Sequence, residues 1–210
     1  MTRFLVVFDV DSTLIEDEVI ELLAEAAGKR AEVADVTERA MRGELDFAQS
    51  LRDRVATLAG LDDSVIGRTY DRITVTAGAQ ELIDAVHAAG GKVGAVSGGF
   101  NQLLEPLAKR LHIDFWRANE LGVINGKLSG RVTGAIVDRE AKAQALAQWS
   151  NELGLSRRQT VAVGDGANDL QMMAEAGLSV AFNAKPMVRE QAQLVVQEQN
   201  LAQLVKVLGI

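Results

Sequence analysis

Short apolar runs alternate along the chain with segments of helical periodicity. Five of these runs are almost continuously apolar: FLVVF (4–8), KVGAVS (92–97), TVAVG (160–164), LSVAF (178–182) and LVV (194–196). They do not alternate between polar and apolar residues, as a strand with one solvent-exposed face would. Such runs are typical of strands buried on both faces of a parallel sheet. Helical patterns separate them, at roughly 78–89, 99–110, 140–153, 168–176 and 199–208. This order predicts an α/β fold with a doubly wound, Rossmann-like parallel sheet.

Two segments depart from the alternation. Residues of about 16–75 contain no good strand, and their apolar positions follow helical periodicity. Connections between neighbouring strands are usually far shorter. We therefore expect a small helical domain at 16–75, inserted after the first strand into a core made of residues 1–15 and 76–210. The second segment, LGVINGKLSGRVTG (121–134), has Asn125-Gly126 between apolar residues and predicts a β-hairpin.

Composition narrows the classes of function. The 210 residues include 29 acidic and 22 basic side chains, and the net charge of −7 argues against nucleic acid or an anionic membrane as a partner. There is no cysteine, which excludes thiolate chemistry and fits a reducing compartment. No apolar run approaches the roughly 18 residues of a membrane span, and no signal peptide is visible. We expect a cytoplasmic protein, either a monomer or a homodimer.

Three of the predicted strands end in polar, glycine-containing sequence: FDVDSTL, VSGGF and GDGAND. The candidate site residues at these ends are Asp9, Asp11, Ser97, Gly98, Gly99, Asp165, Asn168 and Asp169. Ligands of an open α/β sheet bind outside the carboxyl ends of its strands. If the three strands are neighbours, four carboxylates meet at one edge of the sheet.

Four buried carboxylates repel one another unless a cation neutralises them or their pKa values rise. Mg²⁺ prefers oxygen ligands and binds one or two carboxylates together with phosphate oxygens. The acidic cluster therefore predicts Mg²⁺ and a small phosphomonoester. Ser97 supplies a hydroxyl, and Gly98 and Gly99 allow backbone N–H groups to approach at a helix N-terminus. Lys142, near the start of a predicted helix, is the lysine best placed to neutralise a phosphate.

Phosphoryl transfer requires positioning and charge neutralisation, and an aspartate is able to act as the nucleophile. A second carboxylate two residues away would protonate the leaving oxygen and then activate water. Each motif alone also has a structural explanation, as a turn, a helix cap or an exposed lysine. Their joint occurrence, in this order and each at a strand end, favours a phosphoryl-transfer enzyme.

These motifs resemble the haloacid dehalogenase superfamily of phosphatases, whose pattern is D-x-D-x-T, then Ser or Thr, then Lys, then G-D-x-x-x-D. Longer stretches, such as MRGELDFAQSLRDRV and VAVGDGANDLQMMAEAGLSVAFNAKP, are similar to the phosphoserine phosphatase branch. The similarity covers nearly the whole chain. It implies Mg²⁺-dependent hydrolysis of O-phospho-L-serine through an aspartyl-phosphate, the last step of serine biosynthesis.

The resemblance also implies roles for individual residues. Asp9 would be the nucleophile and Asp11 the general acid and base. Mg²⁺ would be bound by the side chains of Asp9 and Asp165 and by the backbone carbonyl of Asp11, with Asp169 supporting the site through water or hydrogen bonds. The phosphoryl group would be contacted by Ser97, Lys142 and Asn168.

The helical insertion becomes, by the same resemblance, a cap that closes over the substrate. Phosphoserine carries an ammonium and a carboxylate besides its phosphate, so the pocket needs an acid and a base. The family pattern places these at Glu18 and Arg54, with Met41 and Phe47 as apolar lining.

Other functions stay open from the sequence. A phosphotransferase would use the same intermediate to phosphorylate another alcohol, such as homoserine. Another small phosphomonoester would be the substrate if Glu18 and Arg54 did not converge. A signalling receiver also forms an aspartyl-phosphate, but it keeps the phosphoryl group and needs no proton shuttle at Asp11. A non-catalytic binding protein is disfavoured because every expected reactive position is filled.

Overall fold

The computed structural model describes residues 2–210. Over those residues, seven strands form one sheet in the order β4-β3-β2-β1-β5-β6-β7. The strands are β1 (Leu5–Phe8), β2 (Lys92–Phe100), β3 (Phe115–Ile124), β4 (Lys127–Thr133), β5 (Thr160–Gly164), β6 (Leu178–Phe182) and β7 (Leu194–Val196). All neighbouring pairs are parallel except β3 and β4. The predicted fold class and all five predicted strands are confirmed.

Ten α-helices lie between and after the strands within the same described range. They are α1 (Val19–Ala26), α2 (Arg30–Met41), α3 (Phe47–Ala56), α4 (Ser64–Tyr70), α5 (Ala79–Ala88), α6 (Asn101–Leu111), α7 (Arg139–Glu152), α8 (Leu170–Glu175), α9 (Pro186–Arg189) and α10 (Gln203–Leu208). The four-residue α9 was not predicted, because one turn is too short to show periodicity. From residue 2 onward, no helix combines the length and the apolar character needed to span a bilayer.

Strand β2 is longer than the sequence indicates. It continues through Gly98 and Gly99 to Phe100, and α6 begins only at Asn101. The prediction that the two glycines lie at a helix N-terminus is therefore wrong. Glycines are poor strand formers, so the sequence favoured a turn at this point.

The predicted hairpin is present, but it is only part of a longer strand. Its turn lies at Asn125 and Gly126, which both have positive φ. The first half of β3, from Phe115 to Asn119, pairs in parallel with β2 and was missed. This half mixes buried and partly exposed side chains, so it lacks the continuous apolar run that identified the other strands.

Both faces of the sheet are covered, which explains the continuous apolar strands. In β1, Val6 and Phe8 pack with residues of α5, α6 and α10, whereas Leu5 and Val7 pack with residues of α7 and α8. All four side chains are fully buried. Burial of one side chain of this size contributes about 1.5–3 kcal/mol. Strand β1 is thus a firmly packed support for the residues that follow it.

The predicted insertion at 16–75 contains helices α1 to α4, which lie between β1 and α5. The chain leaves the core and returns to it side by side: Ile15 and Val75 form an antiparallel bridge, and the Glu16 N–H donates to the Thr74 carbonyl at 2.9 Å. Adjacent connections of this kind are expected of an inserted domain. The division of the chain at 15/16 and 75/76 stays a prediction.

The loop between α3 and α4 is also attached to the β3–β4 hairpin. The Gly60 N–H donates to the Leu128 carbonyl at 2.8 Å, and the Leu128 N–H donates to the Leu61 carbonyl at 2.8 Å. The Asp63 N–H donates to the Gly126 carbonyl at 2.9 Å. The helical segment is therefore held to the core at two separate places.

Candidate active site

The carboxyl ends of β1 and β5 lie side by side where the strand order reverses. Asp9 directly follows β1, and its N–H donates to the Val163 carbonyl of β5 at 2.8 Å. Asp165 directly follows β5. Open α/β sheets bind their ligands in the crevice at such a reversal. The structure thus brings together the first two carboxylates that the sequence singles out.

A single tight turn, Val10–Leu14, follows Asp9. Within it, Asp11 is extended and Ser12 has a φ of 56°, in the left-handed region that few residues other than glycine adopt. The turn carries the Asp11 carboxylate to the start of α1, where Oδ1 accepts a hydrogen bond from the Val19 N–H at 2.8 Å. The loop after β1 therefore links the sheet edge to the helical segment.

Lys142 lies in the interior between two carboxylates. Its Nζ is 2.6 Å from Asp9 Oδ1 and 2.8 Å from Asp169 Oδ1, and all three side chains are buried. The side chain belongs to the first turn of α7, which Asp138 caps by accepting a hydrogen bond from the Ala141 N–H at 3.0 Å. Lys142 therefore supplies a positive charge at the edge where the carboxylates meet.

Asp169 uses both of its oxygens within the protein. Oδ1 accepts from Lys142 Nζ, and Oδ2 accepts from the N–H groups of Asp165 and Gly166 at 3.1 Å each. These bonds fix the loop that carries Asp165, whose own Oδ1 accepts from Thr13 Oγ1 at 3.2 Å. The contacts of Asp169 fit its predicted supporting role.

The buried carboxylates fit a hard divalent cation. One oxygen each from Asp9, Asp165 and Asp169 lie within 4.8 Å of one another. Asp9 Oδ2 is buried and has no hydrogen-bond partner among residues 2–210, which is rare for a polar atom in a protein interior. Carboxylate oxygens are the ligands that Mg²⁺ and similar ions prefer. The Asp11 side chain lies outside this group, so a contribution from Asp11 has to come from its backbone carbonyl.

The charges in this region are not balanced. Burial raises the pKa of Asp9 well above its usual range, and Asp169 raises it further, against the opposing effect of Lys142. Burial and Asp169 also raise the pKa of Asp165, to about 7. Burial would lower the pKa of Lys142, but Asp169 and Asp9 raise it overall. One lysine therefore faces three carboxylates, and a bound cation would relieve the repulsion.

Ser97, Gly98 and Gly99 form a bulge in β2 beside the Asp11 carboxylate. Ser97 Oγ donates to Asp11 Oδ2 at 2.9 Å and accepts from the Gly99 N–H at 2.7 Å. A Cβ on Gly99 would lie 2.9 Å from Asp11 Oδ2, and a Cβ on Gly98 would lie 2.6 Å from the ring of Phe47. A side chain at either position would displace the Phe47 ring or the hydrogen-bonded Asp11 and Ser97 side chains, so glycine keeps these groups in place.

One cavity joins the core residues to the helical segment. The predicted site residues in its wall are Asp9, Asp11, Glu18, Met41, Phe47, Arg54, Gly98 and Gly99. Its free volume is ≈ 20 Å³, little more than a single water molecule needs. Ser97, Lys142, Asp165 and Asp169 are not in the wall of this cavity. Two of them contact residues of the wall directly, since Ser97 hydrogen-bonds Asp11 and Lys142 pairs with Asp9.

Glu18 is partly buried beside the carboxylates of the core. Ser12 Oγ donates to Glu18 Oε1 at 2.7 Å. Burial raises the pKa of Glu18 well above its usual range, and the charges of Asp11 and Asp165 raise it further. A cationic group entering the cavity would therefore be attracted to Glu18 and would stabilise its ionised form.

Arg54 brings the opposite charge to the cavity from α3. Its Nε donates to the Ser50 carbonyl at 3.1 Å and its Nη1 donates to Thr37 Oγ1 at 2.9 Å. The side chain is buried, and burial lowers its pKa from the usual value. No ion pair joins Arg54 to Glu18 in the described part of the chain. Further N–H groups of the guanidinium are thus left for a ligand.

Asn168 borders a different opening and not the cavity that Asp9, Glu18 and Arg54 line. It lies in the turn before α8, facing the α2–α3 loop and the start of α7. Its Oδ1 is buried and has no hydrogen-bond partner among the described residues. Sequence reasoning missed Asn119, which hydrogen-bonds both Gly98 and Val137. A lone asparagine in a half-polar strand carries no signal for such a contact.

Comparisons with known proteins identify the family. Residues 6–174 match the family model for haloacid dehalogenase-like hydrolases. A curated phosphoserine phosphatase from Streptococcus thermophilus is 52% identical over 97% of this chain and 95% of that protein. The chain belongs to the phosphoserine phosphatase family of haloacid dehalogenase-like hydrolases. A phosphoserine phosphatase of Streptomyces coelicolor is 54% identical over 98% of this chain, but the chain spans only 50% of its length.

Solved structures of the family have the same fold. One, named as a phospho-aspartyl intermediate analogue of phosphoserine phosphatase, has a TM-score of 0.95 and 40% identity over 99% of both chains. A second, named as a substrate-bound phosphoserine phosphatase complex, has a TM-score of 0.95 and 39% identity over 99% of both chains. Family membership confirms the predicted phosphatase class and disfavours the signalling-receiver alternative.

Proposed function

We propose that the chain hydrolyses O-phospho-L-serine to L-serine and phosphate, using Mg²⁺ and an aspartyl-phosphate formed on Asp9. One observation carries this proposal: a single cavity has Asp9 and Asp11 on its core side and Glu18 and Arg54 on its helical side. Phosphoserine carries a phosphate at one end and an ammonium and a carboxylate at the other. The two ends of the cavity match the two ends of this substrate.

Mg²⁺ would be held by the carboxylates of Asp9 and Asp165 and by the carbonyl of Asp11, with Asp169 fixing the Asp165 loop. The partnerless Oδ2 of Asp9 and the crowding of three buried carboxylates support this ligand set. Bound there, Mg²⁺ would neutralise negative charge on the phosphoryl group and on the attacking carboxylate.

In the first half-reaction, Asp9 attacks phosphorus and forms a bond to it, while the bond between phosphorus and the serine oxygen breaks. Asp11 donates its proton to that oxygen, so serine leaves as a neutral alcohol. Burial raises the pKa of Asp11, although hydrogen bonds from the Val19 N–H and Ser97 partly oppose this effect. A raised pKa favours the protonated carboxyl that this step requires.

In the second half-reaction, water attacks the phosphorus and Asp11, now ionised, takes a proton from it. The bond between Asp9 and phosphorus breaks, which restores the Asp9 carboxylate and releases inorganic phosphate. The two steps together consume one water for each phosphoester. The groups proposed to bind the phosphoryl oxygens are Ser97, Lys142, Asn168 and the N–H groups of Gly98 and Gly99.

Residues 16–75 would act as the cap that recognises the serine end. Arg54 would bind the carboxylate through its planar guanidinium, and Glu18 would bind the ammonium, with Met41 and Phe47 against the apolar part. The cavity is too small for an amino-acid phosphate, so the cap has to separate from the core before substrate enters. The cytoplasmic location and the state of monomer or homodimer stay predictions.

Phosphate release from three compounds tests the proposal. With Mg²⁺, release should be fastest from O-phospho-L-serine, slower from phosphoethanolamine, which lacks the carboxylate, and slowest from a sugar phosphate, which lacks both charged groups. EDTA and Asp9→Asn should each abolish release. Equal rates on all three compounds would refute the proposal that phosphoserine is the specific substrate, and only the assignment as a phosphatase would stand. Formation of O-phosphohomoserine in place of free phosphate, when homoserine is added, would favour the transferase.

A further inference from the structure

The bulge formed by Ser97, Gly98 and Gly99 interrupts the pairing between β2 and β3. Strands β2 and β3 are in register at Val96 with Arg117 and at Phe100 with Asn119. Between these pairs, β2 has three residues, 97–99, and β3 has only residue 118. A bulge of this kind leaves backbone groups without their usual partners across the strands. Other groups have to fix the direction of the peptide bonds in the bulge.

The side chain of Asn119 provides one of the missing partners. Its Nδ2 donates to the Gly98 carbonyl at 2.8 Å, and its Oδ1 accepts from the Val137 N–H at 2.8 Å. The side chain is only 1% exposed. Asn119 thus uses both ends of its amide, one on the bulge and one on the segment that leads into α7.

The hydrogen bond from Asn119 to the Gly98 carbonyl affects Ser97 and Asp11 through the planar peptide between Gly98 and Gly99. The Gly98 carbonyl and the Gly99 N–H belong to one peptide unit and point in opposite directions, so a bond that fixes the carbonyl also fixes the N–H. The Gly99 N–H donates to Ser97 Oγ at 2.7 Å, and Ser97 Oγ in turn donates to Asp11 Oδ2 at 2.9 Å. The orientation of the Ser97 hydroxyl therefore depends on the peptide that Asn119 holds.

The second bond reaches Lys142. Val137 precedes Asp138, which caps α7 and whose carbonyl accepts the Lys142 N–H at 2.9 Å. One amide therefore sets the distance between the Ser97 loop and the start of the helix that carries Lys142. Both Ser97 and Lys142 are among the groups proposed to bind the phosphoryl oxygens.

We propose that Asn119 is a positioning residue for phosphoryl binding, which holds the Ser97–Gly99 loop and the start of α7 in register. It touches neither substrate nor metal and acts through the Gly98–Gly99 peptide and the Val137 N–H. The inference rests on the proposed function in that Ser97 and Lys142 bind the phosphoryl group.

Asn119→Leu tests this role, because leucine is close in size and makes neither hydrogen bond. The matched control is Thr160→Val at the opposite end of β5. Thr160 is also buried and also joins two segments, since its Oγ1 donates to the Arg157 carbonyl at 2.7 Å and accepts from the Gly177 N–H at 3.1 Å. Both variants should lose a similar free energy of unfolding. A difference between them in phosphate binding or turnover would therefore come from the place of Asn119 beside the active site and not from general destabilisation.

Three readouts separate positioning from structure: binding of inorganic phosphate to the Mg²⁺-loaded protein, inhibition by L-serine, and kcat on phosphoserine. Asn119→Leu should weaken phosphate binding about tenfold and lower kcat on the order of 100-fold, and should leave L-serine inhibition unchanged because Glu18 and Arg54 are not displaced. Thr160→Val should change none of the three by more than about twofold. If both variants lose stability alike and keep phosphate binding and kcat, the inference is overturned.

Asn119→Ser extends the test if the leucine variant fails to fold. Serine is small and polar but too short to bridge Gly98 and Val137, so it should show the same loss of phosphate binding with milder destabilisation. Normal phosphate binding in a folded Asn119→Ser protein would overturn the inference as well. A wild-type protein that binds phosphate but does not hydrolyse phosphoserine would refute the proposed substrate only, because inorganic phosphate tests the loop without it.

Discussion

The catalytic edge of the sheet and the recognition end of the cavity are held in different ways. At the sheet edge, Lys142 on α7 contacts Asp9 after β1 and Asp169 before α8, so three elements of the core fix one another. On the helical side, the Arg54 side chain hydrogen-bonds Ser50 and Thr37, which belong to the same segment as Arg54 itself. The chemistry is preorganised by the core, whereas recognition depends on how the helical segment meets that core.

Removing the proton shuttle on the core side should have a larger effect than any change on the recognition side. Asp11→Asn should lower kcat on phosphoserine by about 10²–10⁴-fold, because an amide does not exchange the proton that both half-reactions need. Mg²⁺ binding, measured by calorimetry, should change little, since the Asp11 side chain lies outside the carboxylate group. Asp35→Asn, at an exposed position of α2, is the control. Normal turnover in Asp11→Asn would contradict the acid and base role.

A smaller and more selective effect is expected on the recognition side. Arg54→Ala should raise the KM for phosphoserine by about 10–100-fold, the value of a hydrogen-bonded charge pair. The KM for phosphoethanolamine, which has no carboxylate, should stay nearly constant. Arg52→Ala is the matched control, because Arg52 is exposed on the same helix. Equal losses on both substrates would show that Arg54 is structural.

The pH dependence of metal binding tests the charge imbalance at the sheet edge. Without metal, Asp165 has a pKa of about 7 because of burial and the nearby Asp169. Below that pH it carries a proton that the cation must displace, and the pKa of Asp9 is raised as well. The apparent affinity for Mg²⁺ should therefore fall by about tenfold or more per pH unit below 7. Calorimetric titrations between pH 6 and 8 measure this. A constant affinity over that range would contradict the assigned ligand set.

The smallest effect should come from a contact that joins the two regions directly. Lys185 Nζ lies 2.9 Å from Glu38 Oε2 of α2, and both side chains are partly exposed, so the pair should contribute little. Glu38→Gln should raise the KM for phosphoserine by no more than about fivefold. Glu32→Gln removes the exposed pair with Lys29 at the start of α2, which does not reach the core, and should have no effect. A rise in KM as large as that caused by Arg54→Ala would mean that substrate recognition depends mainly on the contact between Lys185 and Glu38.

The fold was largely predictable because buried parallel strands have a distinctive composition. The exceptions have physical causes: the first half of β3 is partly exposed, and the glycines at the end of β2 hid the continuation of that strand to Phe100. Asp9 and Asp165 could be placed because the carboxyl ends of neighbouring parallel strands meet. Register alone brings these two residues together.

The recognition residues could not be found from pattern. Residues 16–75 contain many Glu and Arg side chains, and nothing local separates Glu18 or Arg54 from charges on a solvated helix face. Only the family resemblance singled them out. Asn119 was not identified from the sequence for a related reason. Its contact with Gly98 spans 21 positions along the chain and depends on the bulge in β2. Contacts set by three-dimensional register leave no periodicity in the sequence.

The central claim is that Asp9 becomes phosphorylated during turnover. Wild-type protein, mixed with phosphoserine and Mg²⁺ and quenched in acid within milliseconds, should gain the mass of one phosphoryl group, and peptide mapping should place it on Asp9. The Asp9→Asn variant should gain none. A phosphoryl group on another residue, or turnover without any phosphorylated protein, would contradict the account.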